Sequence, residues 1–324
     1  MKTYVLLPAV VFIAFLCGHA EAQQVKSFRN GDATLFYEEF GSGPPLYVLS
    51  GGPGEPPDDP YRRIIDSLKS QYTCVLLHQR GSGLSRAVPV TRENFAIAKY
   101  VEDVALLRKA RGDGAVALLG MSWGGLLAQS FAARYPKAVS NLILVCGASP
   151  SYKVWMALYD NQLTRRSQVE RDSMRYLETQ FAHLGDRALD SLKRVDPQHP
   201  AVLAMKAFMW IHIRAMYFDT RHISRPKFEK LFADFNFQPI AILDQEVMET
   251  QFDITADLKK LKVPALIVYG RQDDQGESTF FLQRDCLRNS EMQVIEQCGH
   301  EIVQEQPEAF FKILKDYLQR TSKK

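Results

Sequence analysis

Apolar residues fall along this chain in short continuous runs, separated by longer amphipathic stretches. Two strand-like runs come first after the leader, Val25–Arg29 and Ala33–Glu39, with Asn30-Gly31 between them. That dipeptide accepts the positive φ angles of a two-residue turn, so the pair predicts a β-hairpin. Leu46–Leu49 and Thr73–His78 are buried-strand patterns with a polar, helix-like stretch between them. Thr91 can cap a helix running to about Arg111, because Ile97, Val101, Val104 and Ala105 fall on one face. Ala115–Leu119 is a short apolar strand, a helix rich in small residues follows from about Gly124, and Leu142–Val145 is the next strand. Strands that are apolar throughout are buried on both faces, and their alternation with helices predicts a parallel arrangement. The expected class is α/β, a mostly parallel central sheet with helices on both faces.

The alternation stops near Gly147. From 148 to 251 the pattern is mostly helical: Met174, Leu177, Phe181 and Leu184 recur at helical spacing, and Ala201–Phe218 is a more apolar helix containing Phe208, Met209 and Trp210. Alternation resumes with Ala265–Tyr269 as strand, a helix near Ser278–Leu287, Met292–Ile295 as strand and a last helix from about Pro307. The expected organisation is one core, residues 23–147 and 252–324, interrupted by a helical cap at 148–251. Insertions at strand ends often cover an active site.

Residues 1–22 read as a leader rather than as fold. Lys2 supplies a positive start, Val5–Leu16 is apolar, and Ala20-Glu21-Ala22 is a small-x-small cleavage pattern, which together make a secretory signal peptide. The apolar run is about a dozen residues where a spanning helix needs about 20. No membrane span is expected, and the mature protein is expected to be exported, periplasmic or extracellular.

Composition narrows the functions further. The 324 residues carry a net charge of +3 with no dense Lys/Arg cluster, so nothing points to a nucleic-acid partner. Cleavage would remove Cys17. Of the four cysteines left, Cys74 and Cys146 sit in apolar strand-like runs and read as small hydrophobes, and Cys286 with Cys298 is the pair open to a disulfide. No Cys/His spacing resembles a zinc site, and no phosphate loop or dinucleotide fingerprint is present, so neither metal nor cofactor is expected. Asp58-Asp59 has no surrounding ligand set, and Gly81-Ser82-Gly83 reads as a structural turn.

The chemistry concentrates around Gly120-Met121-Ser122-Trp123-Gly124. A serine between glycines, after a strand and before a helix, sits on a sharp elbow that exposes its hydroxyl above the sheet. A serine hydroxyl is a weak nucleophile and needs a histidine base oriented by a carboxylate. On such an elbow the chain order is serine, acid, histidine. Asp273 follows the strand Ala265–Tyr269, with adjacent Asp274 as second choice, and His300 alone of seven histidines lies beyond it. Backbone amides must also face the oxygen that becomes negative. Gly51-Gly52-Pro53-Gly54 after Leu46–Leu49 suits that role, which assigns the donors to Gly52 and to Trp123, the residue after the nucleophile.

Three motifs then resemble a known family. Leu49-Ser50-Gly51-Gly52-Pro53-Gly54, His78-Gln79-Arg80-Gly81-Ser82-Gly83-Leu84-Ser85 and Gly120-Met121-Ser122-Trp123-Gly124-Gly125 resemble the HGGPG, DQRGxGxS and GxSWG patterns of the proline iminopeptidase family of α/β-hydrolases. Val263–Asp273 resembles that family's acid-bearing strand. Ser50 stands where histidine is usual, and His78 where aspartate is usual. The resemblance implies the α/β-hydrolase fold with an inserted helical cap. It also implies an aminopeptidase that releases an N-terminal residue from short peptides and holds the free amine with acids, usually from the cap. Asp219, Asp244, Glu246 and Glu249 are the candidates there.

An esterase or lipase-like hydrolase with the same machinery is the alternative, acting on a small ester, since the apolar helix around Phe208–Ile213 would suit an acyl chain. An ionic pocket would favour the peptidase and a purely apolar one the esterase. An idle binding protein on the same fold is a third reading, opposed by the complete set of chemical parts. Dehalogenase or epoxide hydrolase chemistry would need aspartate where Ser122 stands.

Overall fold

Eight strands build one sheet in the computed structural model, which describes residues 24–321. They are β1 (Gln24–Asn30), β2 (Ala33–Phe40), β3 (Pro45–Leu49), β4 (Thr73–His78), β5 (Val116–Met121), β6 (Val139–Val145), β7 (Ala265–Gly270) and β8 (Ser290–Ile295). The order across the sheet is β1-β2-β4-β3-β5-β6-β7-β8. β1, β2 and β4 pair antiparallel, and every pairing from β4 through β3 to β8 is parallel. The hairpin turns at Asn30-Gly31, with Asn30 opposite Ala33 and Gly31 at φ +58°. All residues of β5 and β7 are buried, which is the burial that continuous apolar runs require in a sheet covered on both faces. The proposed leader 1–22, with Cys17, lies outside the described residues.

Thirteen α-helices accompany the sheet among the described residues. Before β6 come α1 (Asp59–Leu68), α2 (Ile97–Arg111) and α3 (Trp123–Arg134). Between β6 and β7 lie α4 (Tyr152–Thr164), α5 (Gln168–Thr179), α6 (Gly185–Val195), α7 (Pro200–Arg214), α8 (Arg225–Asp234) and α9 (Gln238–Glu249), then short α10 (Thr255–Leu258). α11 (Glu277–Cys286), α12 (Ile302–Glu305) and α13 (Pro307–Thr321) complete the chain.

The long segment between β6 and β7 has its own apolar cluster, in which Leu189, Val202, Met205, Ile213, Phe228 and Phe232 pack together. Trp155 of α4 and Leu243 and Val247 of α9 belong instead to the main core. Those two helices therefore seat the segment on the main core. Pro200 and Pro226 stand in the first turns of α7 and α8, where a missing N–H breaks no helical bond.

Helix boundaries differ from the sequence expectation: α7 ends at Arg214 and not at Phe218, Phe181 and Leu184 lie beyond the end of α5 at Thr179, and α2 starts late. Thr91 does not start α2. Its hydroxyl accepts from the Asn94 N–H at 3.1 Å and closes a turn, and the helix begins at Ile97. Two distant groups cause this. Arg80 donates to the Asn94 carbonyl at 2.5 Å, and Glu246 of α9 accepts the Ile97 N–H at 2.8 Å, capping α2 from outside. All four cysteines of the described chain are free and buried, including Cys286 and Cys298.

Candidate active site

The turn from β5 to α3 forces the geometry at Ser122. Its backbone takes φ +54° and ψ −122°, a strained region for a residue with a side chain. Two bonds hold it there: the Ser122 N–H donates to the Val145 carbonyl at 3.0 Å, and the Ser122 carbonyl accepts from Ala148 at 2.9 Å. The glycines are steric necessities. A Cβ on Gly120 would lie 2.1 Å from the Gly124 carbonyl oxygen, and one on Gly124 would lie 2.2 Å from the Leu49 carbonyl oxygen. The G-x-S-x-G spacing is thus what lets strand, elbow and neighbouring β3 come this close.

His300 and Asp273 are brought together from the loops after β8 and β7. His300 Nδ1 is 2.9 Å from Asp273 Oδ1, which also accepts the Gln275 N–H at 2.9 Å. Both residues are almost fully buried. Burial works against the imidazolium, but Asp273, Asp274 and Glu301 outweigh it and hold the His300 pKa above its ordinary value. The Asp273 carboxyl, which burial would raise, is held low by His300 and its other hydrogen bonds. Ser122 and His300 line the same cavity.

The glycine loop after β3 contributes in two ways. The Gly51 N–H is already spent on the Tyr61 hydroxyl at 2.7 Å, and that hydroxyl donates to Glu55 Oε2 at 2.9 Å. Gly52, at φ +100°, lines the cavity with Trp123. The Trp123 amide is at the first position of α3, where a helix offers no internal acceptor. The Trp123 indole donates to Gln79 Oε1 at 2.8 Å, and Gln79 Nε2 donates to the Ser50 carbonyl and hydroxyl at 2.8 and 3.0 Å. Ser50, the first departure from the family pattern, therefore belongs to the network that ties three loops together.

His78, the second departure, contacts Glu38 at 2.8 Å. Beside it, Arg80 makes a buried two-point pair with Asp103 at 2.5 and 2.6 Å. These motif residues build the floor of the site and do not face the cavity.

The cavity, about 670 Å³, lies between the elbow and the helices after β6. Its far walls are apolar: Trp155, Phe208, Met209, Ile213, Phe228 and Leu231. Its near end is acidic, with Glu55, Glu301 and Asp274 beside His300. Burial and repulsion from Glu301 push the Glu55 carboxyl up to about 8, against the Tyr61 hydrogen bond. Burial also raises Glu301. His212, on α7, is pushed down to about 4 by burial and by Arg166.

Of the four acids marked for amine binding, only Asp244 lines the cavity; burial raises it. The other three are a correction to the sequence reading. Asp219 is engaged by Arg221 at the surface, with 2.5 Å between them. Glu246 caps α2, and Glu249 forms an exposed two-point pair with Arg92 at 3.0 Å. Each has a partner outside the cavity. Sequence reasoning missed Glu55 and Glu301, although each directly follows a motif, the glycine loop and His300. Among the described residues one cluster brings metal-ligand atoms within 4.8 Å of one another, Cys146 with Asp273 and His300. Two of its members are the hydrogen-bonded pair itself.

A deep elbow serine, a buried histidine–carboxylate pair and a cavity covering both are features of one large class. Residues 44–307 match the family model described as alpha/beta hydrolase fold, and the chain belongs to that family. Within it the chain is 25% identical over 290 residues to the proline iminopeptidase of Clostridium botulinum, covering 86% of this chain and 91% of that one. It is 24% identical over 301 residues to the cis-3-alkyl-4-alkyloxetan-2-one decarboxylase of Shewanella oneidensis, covering 90% and 87%. A monoacylglycerol lipase of Homo sapiens matches at 26% over 202 residues, 62% of this chain and 54% of that one. Among solved structures, VinJ superposes with a TM-score of 0.72 at 20% identity, covering 92% of this chain and 99% of the other. A proline iminopeptidase-related protein from Thermus thermophilus gives 0.64 at 22%, covering 92% and 97%. These superpositions bear on the fold alone.

Proposed function

We propose that the protein is a serine hydrolase of the aminopeptidase type, releasing an N-terminal residue from short peptides. Ser122 attacks the scissile carbonyl, and His300 takes the hydroxyl proton. Asp273 fixes the imidazole tautomer and stabilises its cation. The amides of Gly52 and Trp123 hold the oxyanion. His300 then gives its proton to the leaving amine, and water releases the acyl group by the reverse sequence. No cofactor enters this chemistry.

One observation carries the choice of an amine substrate: Glu55 and Glu301 sit together at the acidic end of the cavity, beside His300. Two half-buried carboxyl groups this close oppose each other's ionisation, and a substrate ammonium between them would relieve both. Similarity to proline iminopeptidases over most of the chain supports the same reading.

The apolar far wall favours a second reading, an esterase or lipase-like hydrolase that uses the same residues on an acyl ester. The test compares a prolyl or alanyl arylamide with a short acyl ester, using the mature protein and Ser122→Ala. Cleavage of the arylamide that is lost when its amine is blocked supports the peptidase. Cleavage of the ester alone overturns it in favour of the esterase.

The helices between β6 and β7 are proposed to act as a cap over the substrate. Export is proposed from residues 1–22. Among the described residues, no helix is long and apolar enough to cross a membrane.

A further inference from the structure

Two carboxylates, not one, converge on His300. Asp273 Oδ1 lies 2.9 Å from His300 Nδ1, and Asp274 Oδ1 lies 3.7 Å from the same nitrogen. Both acids are buried, at 3% and 1% exposure. Asp274 Oδ1 and Asp273 Oδ2 both lack a donor, whereas Asp274 Oδ2 accepts from Gln162 Nε2 of α4 at 2.8 Å. One Asp274 oxygen is therefore anchored by the helical segment, and the other is left as an unsatisfied acceptor next to the imidazole. A buried oxygen without a donor is costly, and a closure of less than about 1 Å would bring it within bonding range of Nδ1–H. Arg165, just past α4, also donates to the carbonyls of Gln272 and Asp273, so the end of α4 holds the whole acid loop.

We propose that Asp274 is a second acid for His300, a positioning residue held by Gln162 that shares the Nδ1–H with Asp273 and keeps the productive tautomer when the Asp273 bond weakens. The proposal rests on the reading of Ser122 as nucleophile and His300 as base. Asp274 lines the cavity as well, so its charge is next to the place where the imidazolium forms. The charged groups facing it are Asp273, His300, Glu301 and, from the segment after α4, Arg166. Burial, opposed by His300 and reinforced by Asp273, raises the Asp274 carboxyl above its ordinary value. The imidazolium lowers it in turn, so the charged form of Asp274 accompanies the charged form of His300.

The test is a cycle of Asp273→Asn, Asp274→Asn and the double variant, assayed on whichever arylamide or ester the wild type cleaves. In a serine–histidine–aspartate site with a single acid, the Asn variant selects the wrong tautomer and kcat falls about ten-thousandfold. Here Asp273→Asn should lose no more than about a hundredfold, and the double variant about ten-thousandfold. Asp274→Asn should lower kcat a few-fold with KM unchanged. It should also move the acid limb of kcat/KM to lower pH, because a negative charge facing the imidazolium is gone. Asp274→Glu keeps that charge and should leave the limb in place, which separates charge from packing if Asp274→Asn folds poorly. A full loss in Asp273→Asn alone, or an unmoved limb in Asp274→Asn, overturns the second acid while leaving the base reading intact. Full activity in the double variant overturns both.

Discussion

Replacing Glu55 with Gln separates recognition of an amine from the chemistry at Ser122. Burial and Glu301 lift the Glu55 carboxyl from an ordinary 4.5 to about 8. At about 1.4 kcal/mol per pKa unit, that rise disfavours the ionised form by on the order of 5 kcal/mol in the empty site. Glu55 is then neutral below about pH 8 and charged above it. A bound ammonium must draw that proton out. The ratio of kcat/KM for a free-amine arylamide to kcat/KM for an ester without an amine, in which the titration of His300 cancels, should climb roughly tenfold per pH unit between about 6 and 8. The substrate's own α-amino group loses its proton at about 8, so that ratio should peak near there. At the peak, loss of a charge-assisted hydrogen bond of about 1.5–3 kcal/mol should cost Glu55→Gln roughly ten- to a hundredfold. A p-nitrophenyl ester without an amine carries the titration of His300 alone, so the ratio of the two profiles isolates Glu55. The ester rate should change less than about threefold in the variant, since an ester offers no ammonium to pair. Equal losses on both substrates, or a wild-type ratio that is flat with pH, would refute an amine-binding role for Glu55.

Ser122→Ala should lower kcat on any substrate by about a millionfold while the circular dichroism spectrum stays unchanged; residual turnover near wild type would remove Ser122 from the mechanism. Gly124→Ala places a Cβ 2.2 Å from the Leu49 carbonyl oxygen, so it should lower stability by about 1–3 kcal/mol or more in urea unfolding and abolish activity. Asp103→Ala leaves the Arg80 guanidinium buried without its carboxylate and should cost about 3–5 kcal/mol of unfolding free energy; a loss under about 1 kcal/mol would mean Arg80 finds other partners.

The local pattern of the chain determined the elements and the chemistry-bearing positions. Continuous apolar runs specify buried parallel strands because both faces of a covered sheet exclude water, and β5 and β7 are buried at every residue. Asn30-Gly31 specifies the hairpin because the turn needs a positive φ, taken here by Gly31. The elbow is legible because only glycine fits beside Ser122 at Gly120 and Gly124.

Tertiary structure alone decided what surrounds those positions. The start of α2 depends on Arg80 and Glu246, two groups distant along the chain, so Thr91 was an incomplete signal. Nothing periodic in α9 distinguishes Asp244, which faces the cavity, from Glu246 and Glu249, which do not; their separation follows from how α9 lies against α2 and α4. The acidic end of the cavity joins Glu55 from the loop after β3 to Glu301 from the loop after β8, strands on opposite sides of the β5 elbow in the sheet. Helix and strand periods describe neighbours along the chain. Charges that meet across a sheet act through distance and shielding, which exist only once the strands are in order.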